Sequence, residues 1–150
     1  MLSDIYNKRI LELAGNIPDL GRLAAPHGSA TAHSRLCGST VTVDLTLHDG
    51  VVSAFAHDVK ACALGQASSA IMARAIVGSS PEELRALRDT MHAMLKSGGA
   101  PPKGRWADAA VLEPVRDYKA RHASTLLTFD AVVEALAAAE ARPADLDAAE

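Results

Sequence analysis

Eight consecutive residues, Thr40 to Leu47, alternate polar and apolar side chains without a break. A period of two with β-branched residues places Val41, Val43, Leu45 and Leu47 on one face of a half-buried strand. His48-Asp49-Gly50 then supplies a tight turn, and alternation resumes from Val51 to Val59. The two runs are therefore expected to pair as an antiparallel hairpin. A lone hairpin is marginal in water, so helices must cover one of its faces.

The rest of the chain supplies them. Ser3 reads as the N-cap of a first helix, with Asp4 behind it, a stripe of Ile5, Ile10, Leu11, Leu13 and Ala14, and Gly15 at its end. Asn16 to Ser39 contains Pro18, Gly21, Pro26 and Gly28 and reads mostly as loop, with a short strand near Ala30 to His33. After Cys62 the pattern turns helical. Gly65 to Val77 carries Ile71, Ala75 and Ile76 and stops at Gly78, and Ser80-Pro81-Glu82-Glu83 is a capping box. That box opens a helix with Leu84, Leu87, Met91, Met94 and Leu95. Ser97 to Gly104 reads as loop, Ala107 to Leu112 as a short helix cut by Pro114, and His122 to Ala141 as the last helix. The expected fold is α+β: a small antiparallel sheet of about three strands packed against several α-helices.

Charge narrows the function. The net charge is -3, and Glu140, Arg142, Asp145, Asp147 and Glu150 carry all of it, leaving residues 1–139 neutral. A neutral body has no basic field to gather phosphates, which argues against nucleic-acid binding. The domain is expected to span 1–139, with 140–150 an acidic, flexible tail. The longest apolar run, Ala135 to Ala139, is far short of the roughly 20 residues of a membrane span. The N-terminus has no basic start and no apolar h-region, so a cytoplasmic setting is expected.

Two cysteines are too few for a disulfide framework, and Cys37 and Cys62 are too far apart for a CxxC site. Cys37 precedes Gly38 where the irregular segment meets the first strong strand. Cys62 lies where the second strand passes into a helix, facing the positive end of that helix, with Lys60 two residues back. Both features favour a thiolate. A hairpin brings the start of its first strand and the end of its second to one edge, so the two cysteines are expected to converge. Among the histidines, His48 and His92 read as surface residues. His57, near the second strand's end, and His122, opening the last helix, stand out.

With Cys37-Gly38 heading one strand and Cys62 between the next strand and a helix, the chain resembles the iron-sulfur assembly scaffolds: the NifU N-terminal domain, IscU and SufU. The resemblance runs over residues 4–136. It takes in the first helix, the Asn16 to Gly21 loop, Cys37-Gly38-Ser39 in place of the family's Cys-Gly-Asp, and Cys62 ahead of a small-residue helix. Ser80 to Lys103 is similar to the insertion that marks the SufU branch, and the final segment Asp108 to Arg121 fits that branch. In this register the family's third cysteine falls on Ser124, and the preceding histidine of IscU falls on Ala123.

The resemblance implies a scaffold or sulfur carrier rather than a free-standing enzyme. Cys37 and Cys62 would accept sulfur or hold iron, zinc or a nascent Fe-S cluster. The implied partners are a cysteine desulfurase and recipient proteins, with no membrane and no nucleic acid. Two thiolates do not close a metal shell, which His122, His57, Asp58 or a second copy in a homodimer would complete; His122 is the preferred third ligand. The alternative is a metal-free homologue acting as an interaction module. A third reading is a cysteine hydrolase pairing Cys62 with His57 or His122, for which no oxyanion-hole signature is visible.

Overall fold

The structure, a computed structural model, describes residues 6–36 and 38–142. In chain order its elements are α1 (Lys8–Ala14), β1 (Gly28–His33), β2 (Thr40–His48), β3 (Val51–Lys60), α2 (Ala63–Ala75), α3 (Pro81–Lys96), a 3-10 segment (Gly104–Asp117), a 3-10 turn (Lys119–Arg121) and α4 (His122–Glu140). The α+β expectation holds.

The hairpin forms as its alternation requires, with Leu45 opposite Phe55, Val43 opposite His57 and Thr40 opposite Lys60. Asp49 and Gly50 both take positive φ, 52° and 79°. That is type I′ geometry, whose twist matches the flanking strands. β1 pairs with β2 antiparallel, giving the order β1-β2-β3. It begins two residues before the expected strand, because Gly28-Ser29 carries no apolar alternation.

On the middle strand Asp44 is a fully buried carboxylate. Arg22 reaches it through Nε at 2.6 Å and Nη2 at 2.9 Å, Ser29 Oγ donates at 2.5 Å and the Leu23 N–H at 3.0 Å. Burial alone would push this carboxyl up. The hydrogen bonds and the Arg22 charge outweigh it and hold the group below the usual carboxylate range. The long loop before β1 is thereby tied to the sheet.

α4 packs on β1 and β2 and is flanked by α2 and α3, while α1 packs on α2. A helix apolar nearly all round belongs in such a position; Leu126, Leu127, Phe129, Val132 and Leu136 are all buried. Gly28 abuts the backbone at Ala135 and Ala139. α4 therefore runs antiparallel to β1, and its N-terminus returns to the sheet end where His33, Thr40 and Lys60 line up.

Four local expectations change. The N-cap of α1 is Asn7, whose side chain accepts from the Ile10 N–H at 2.9 Å; Ser3 and Asp4 lie outside the described residues. Ser80 caps α3 as expected, accepting from the Glu83 N–H at 3.1 Å, but the Glu83 carboxylate takes the Trp106 indole N–H at 3.3 Å and lies 3.7 Å from Arg105. The segment expected to be cut at Pro114 is a continuous 3-10 run. Its buried residues are Trp106, Ala109, Leu112 and Val115, every third position, which matches three residues per turn and leaves Pro114 off the stripe. His92 is half-buried rather than free on the surface, with Nε2 2.7 Å from an Asp130 carboxylate oxygen. Glu140 ends α4 and pairs with Arg85; residues 143–150 of the tail lie outside the described residues.

Candidate functional site

β3 ends at Lys60, and Cys62 is the N-cap residue of α2, in extended conformation with no side-chain capping bond. Its side chain is half-buried. The start of α2 lies hard against the start of α4: a Cβ on Gly65 would stand 2.7 Å from Ala61 Cβ and 3.1 Å from the Ser124 carbonyl oxygen. Glycine permits that approach. It carries the Ser124 side chain to Cys62, whose Sγ–H donates to Ser124 Oγ at 3.4 Å.

The other side of the corner is the end of β2. Thr40 pairs with Lys60, so Ser39 and Cys62 adjoin strand ends at one edge of the sheet. Ser39 is buried. The connection from β1 is closed by the Ser34 N–H donating to the Ser39 carbonyl and the Gly38 N–H to the Ser34 carbonyl, both at 2.9 Å. Gly38 has φ +70°, a turn conformation that favours glycine. Cys37 lies outside the described residues.

The histidines sit elsewhere. His122 is buried, and its Nε2 donates to the carbonyls of Val115 and Arg116 at 3.0 Å each. Nδ1 is then the nitrogen left to act as a ligand. His122 and Ser124 are two residues apart, about 200° round the helix, and it is Ser124 whose side chain contacts the thiol. Ala123, between them, is exposed.

His57 is fully buried, with Nε2 donating to the Pro18 carbonyl at 2.8 Å, its ring centroid 4.8 Å from that of Phe55, and no partner on Nδ1. Asp58 follows it, exposed. Both imidazoles thus spend Nε2 on backbone carbonyls, and among the described residues neither is hydrogen-bonded to Cys62, as a hydrolase reading would require. Among the described residues, no three of His, Cys, Asp and Glu converge as metal ligands.

Burial pushes the His57 imidazole below its ordinary value, with the Pro18 carbonyl and Asp19 only partly offsetting it. An unfolded chain takes up this proton near pH 6.5, where the folded chain resists it. Stability from His57 is therefore full above about pH 6.5 and lost as pH falls toward the depressed folded value. The urea midpoint is expected to drop between about pH 7 and about pH 5.5, and to drop less in His57→Leu. Equal pH dependence in both proteins would show that His57 is not the source.

The family model described as the NifU-like N terminal domain matches residues 5–125. The chain belongs to the NifU-like N-terminal domain family. It is 62% identical to a nitrogen-fixing NifU-like protein (N-terminal) from Brucella abortus, with a TM-score of 0.92, covering 95% of this chain and 99% of that one. It is 26% identical over 132 residues to the iron-sulfur cluster assembly scaffold protein IscU of Thermotoga maritima, covering 88% of this chain and 92% of that protein. A candidate scaffold for the SUF system from Fervidobacterium islandicum AW-1 shares the fold, with a TM-score of 0.78 at 20% identity over 89% of this chain and 98% of that one.

Within this NifU-like domain, the register of the resemblance puts the third cysteine position on Ser124, the α4 residue that touches Cys62. The one sequence signal for that contact is Gly65, three residues after Cys62 in the first turn of α2. Among the described residues of the domain, no helix is long and apolar enough to cross a membrane.

Proposed function

We propose that this NifU-like domain is a scaffold or sulfur acceptor of iron-sulfur cluster assembly, with Cys37 and Cys62 as the residues that take transferred sulfur, iron or a nascent cluster. Chemistry at the edge of a sheet suits such cargo, because thiolates must be reachable by a donor and by a recipient. The observation that carries the reading is the corner itself: Cys62, at the tip of α2, meets Ser124, the position of the third family ligand. The partners that follow are a cysteine desulfurase as sulfur donor and apoproteins as recipients, in the cytoplasm.

Two thiolates leave the shell open. A second copy contributing its own pair would give four thiolates to one cluster or one zinc ion, and His122 would enter a shell only through Nδ1. Elemental analysis of protein purified without oxygen tests the reading. Iron or zinc in a fixed ratio to protein, lost in Cys62→Ala, is the expected result. The companion His122→Ala variant shows whether that imidazole belongs to the shell.

A second reading is favoured by one observation: neutral serines, Ser39 and Ser124, stand in two of the ligand positions that the resemblance implies. On it the domain is a metal-free interaction module of the same pathway. Sub-stoichiometric metal in every anaerobic preparation is its signature.

A further inference from the structure

We propose that Ser124 is a positioning residue for Cys62, holding the thiol through a hydrogen bond instead of standing beside it as a ligand. The proposal rests on Cys62 being the reactive residue of the site. A serine hydroxyl is a poor metal ligand at neutral pH, but it has one donor and two acceptor lone pairs to offer a neighbouring sulfur.

The structure shows the accepting use toward sulfur, with the hydroxyl's own hydrogen placed on a backbone carbonyl. Ser124 Oγ accepts from Cys62 Sγ–H at 3.4 Å and gives its own hydrogen to the Arg121 carbonyl at 3.3 Å. It is only 2% exposed, so little water competes for these bonds. The same carbonyl receives the Thr125 hydroxyl at 2.7 Å. Of the two bonds to Arg121 the one from Ser124 is the longer and weaker. Its hydrogen is the one that turns toward sulfur at little cost, while Thr125 keeps the carbonyl satisfied.

The backbone fixes the arrangement. Gly65 lets α2 approach α4 closely enough for the contact, and Ser124 sits in the first turn of α4, held by its own backbone. The Cys62 S–H is thereby directed at Ser124 Oγ, which leaves the sulfur lone pairs unused by that bond. An N-cap thiol with no capping bond of its own is given a direction by Ser124.

Infrared spectroscopy of the metal-free, reduced Cys37→Ser protein tests this, because Cys62 then carries the one S–H oscillator in the chain. The S–H stretch is expected at the lowered wavenumber of a hydrogen-bonded thiol, to rise in Ser124→Ala, and to return in Ser124→Thr, which restores the hydroxyl. A stretch at the position of an unbonded thiol in the Cys37→Ser protein itself overturns the proposal, with no need for the Ser124 variants to fold. So does a band unmoved in a folded Ser124→Ala protein. Because no metal is present, the result stands apart from whether the domain carries a cluster.

Discussion

Ser124→Cys is expected to raise the affinity of the protein for zinc and cobalt by roughly a hundredfold, the upper scale on which even outer-shell changes move metal affinity. The reason is distance. Ser124 Oγ is 3.4 Å from Cys62 Sγ, so a thiol at that place stands beside Cys62 and within reach of one metal ion bound by both. Thiolate is the ligand that zinc prefers and a neutral hydroxyl is not. Cobalt titration without oxygen and with a thiol-free reductant reports the number of sulfur ligands through the intensity of sulfur-to-metal charge transfer. Stronger charge transfer and tighter binding in Ser124→Cys are expected. Unchanged spectra and affinity would mean that the α2–α4 corner is not where metal binds.

Gly28→Ala is expected to destabilise the fold more than most single surface changes. An added Cβ would run into the Ala135 carbonyl oxygen and stand 2.7 Å from Ala139 N and 2.9 Å from Ala139 Cβ. The first two are α4 backbone atoms and the third is an alanine Cβ, and none of them can rotate away. Overpacking in a tight core costs about 1–3 kcal/mol and more where backbone must shift, so a loss of about 3 kcal/mol and a melting temperature lower by about 10 °C are expected. The contact anchors β1 to the C-terminal half of α4 and so sets how α4 returns to the site. Thermal and urea unfolding of the variant measure the loss; an unchanged midpoint would show that β1 and α4 separate freely.

Some parts of the chain were legible in the sequence because one local rule decides them. The Thr40–Val59 hairpin follows from alternation and an Asp-Gly turn, and α3 from the Ser80 cap and Pro81. Gly28–His33 was half-visible, since Ala30 and Ala32 are its only apolar side chains and its strand character depends on pairing with β2. The 3-10 segment runs well past the short helix expected at Ala107 to Leu112, because Trp106, Ala109, Leu112 and Val115 repeat every three residues across Pro114. In a 3-10 run a proline off the buried stripe does not end the segment.

At the site the same division holds. The sheet-end neighbourhood of Ser39 and Cys62 could be read from hairpin topology, and the meeting of Cys62 with Ser124 from the family register. The direction of His122 could not. It depends on the carbonyls of Val115, which also accepts the Tyr118 N–H, and of Arg116 where the 3-10 segment gives way to α4, a turn geometry that no residue pattern announces. The buried Asp44 was equally hidden, because within its strand it sits in an alternating polar slot and its partners Arg22, Leu23 and Ser29 lie 15 to 22 residues earlier.

The central claim is that Cys37 and Cys62 together hold the cargo of a cluster-assembly scaffold. Anaerobic reconstitution with ferrous iron and sulfide, read by visible absorption after removal of unbound iron, tests it most directly. A protein-bound iron-sulfur spectrum is predicted for the unaltered chain, lost in both Cys37→Ser and Cys62→Ser. An identical spectrum in the variant lacking both thiols, or none in the unaltered chain, would contradict it.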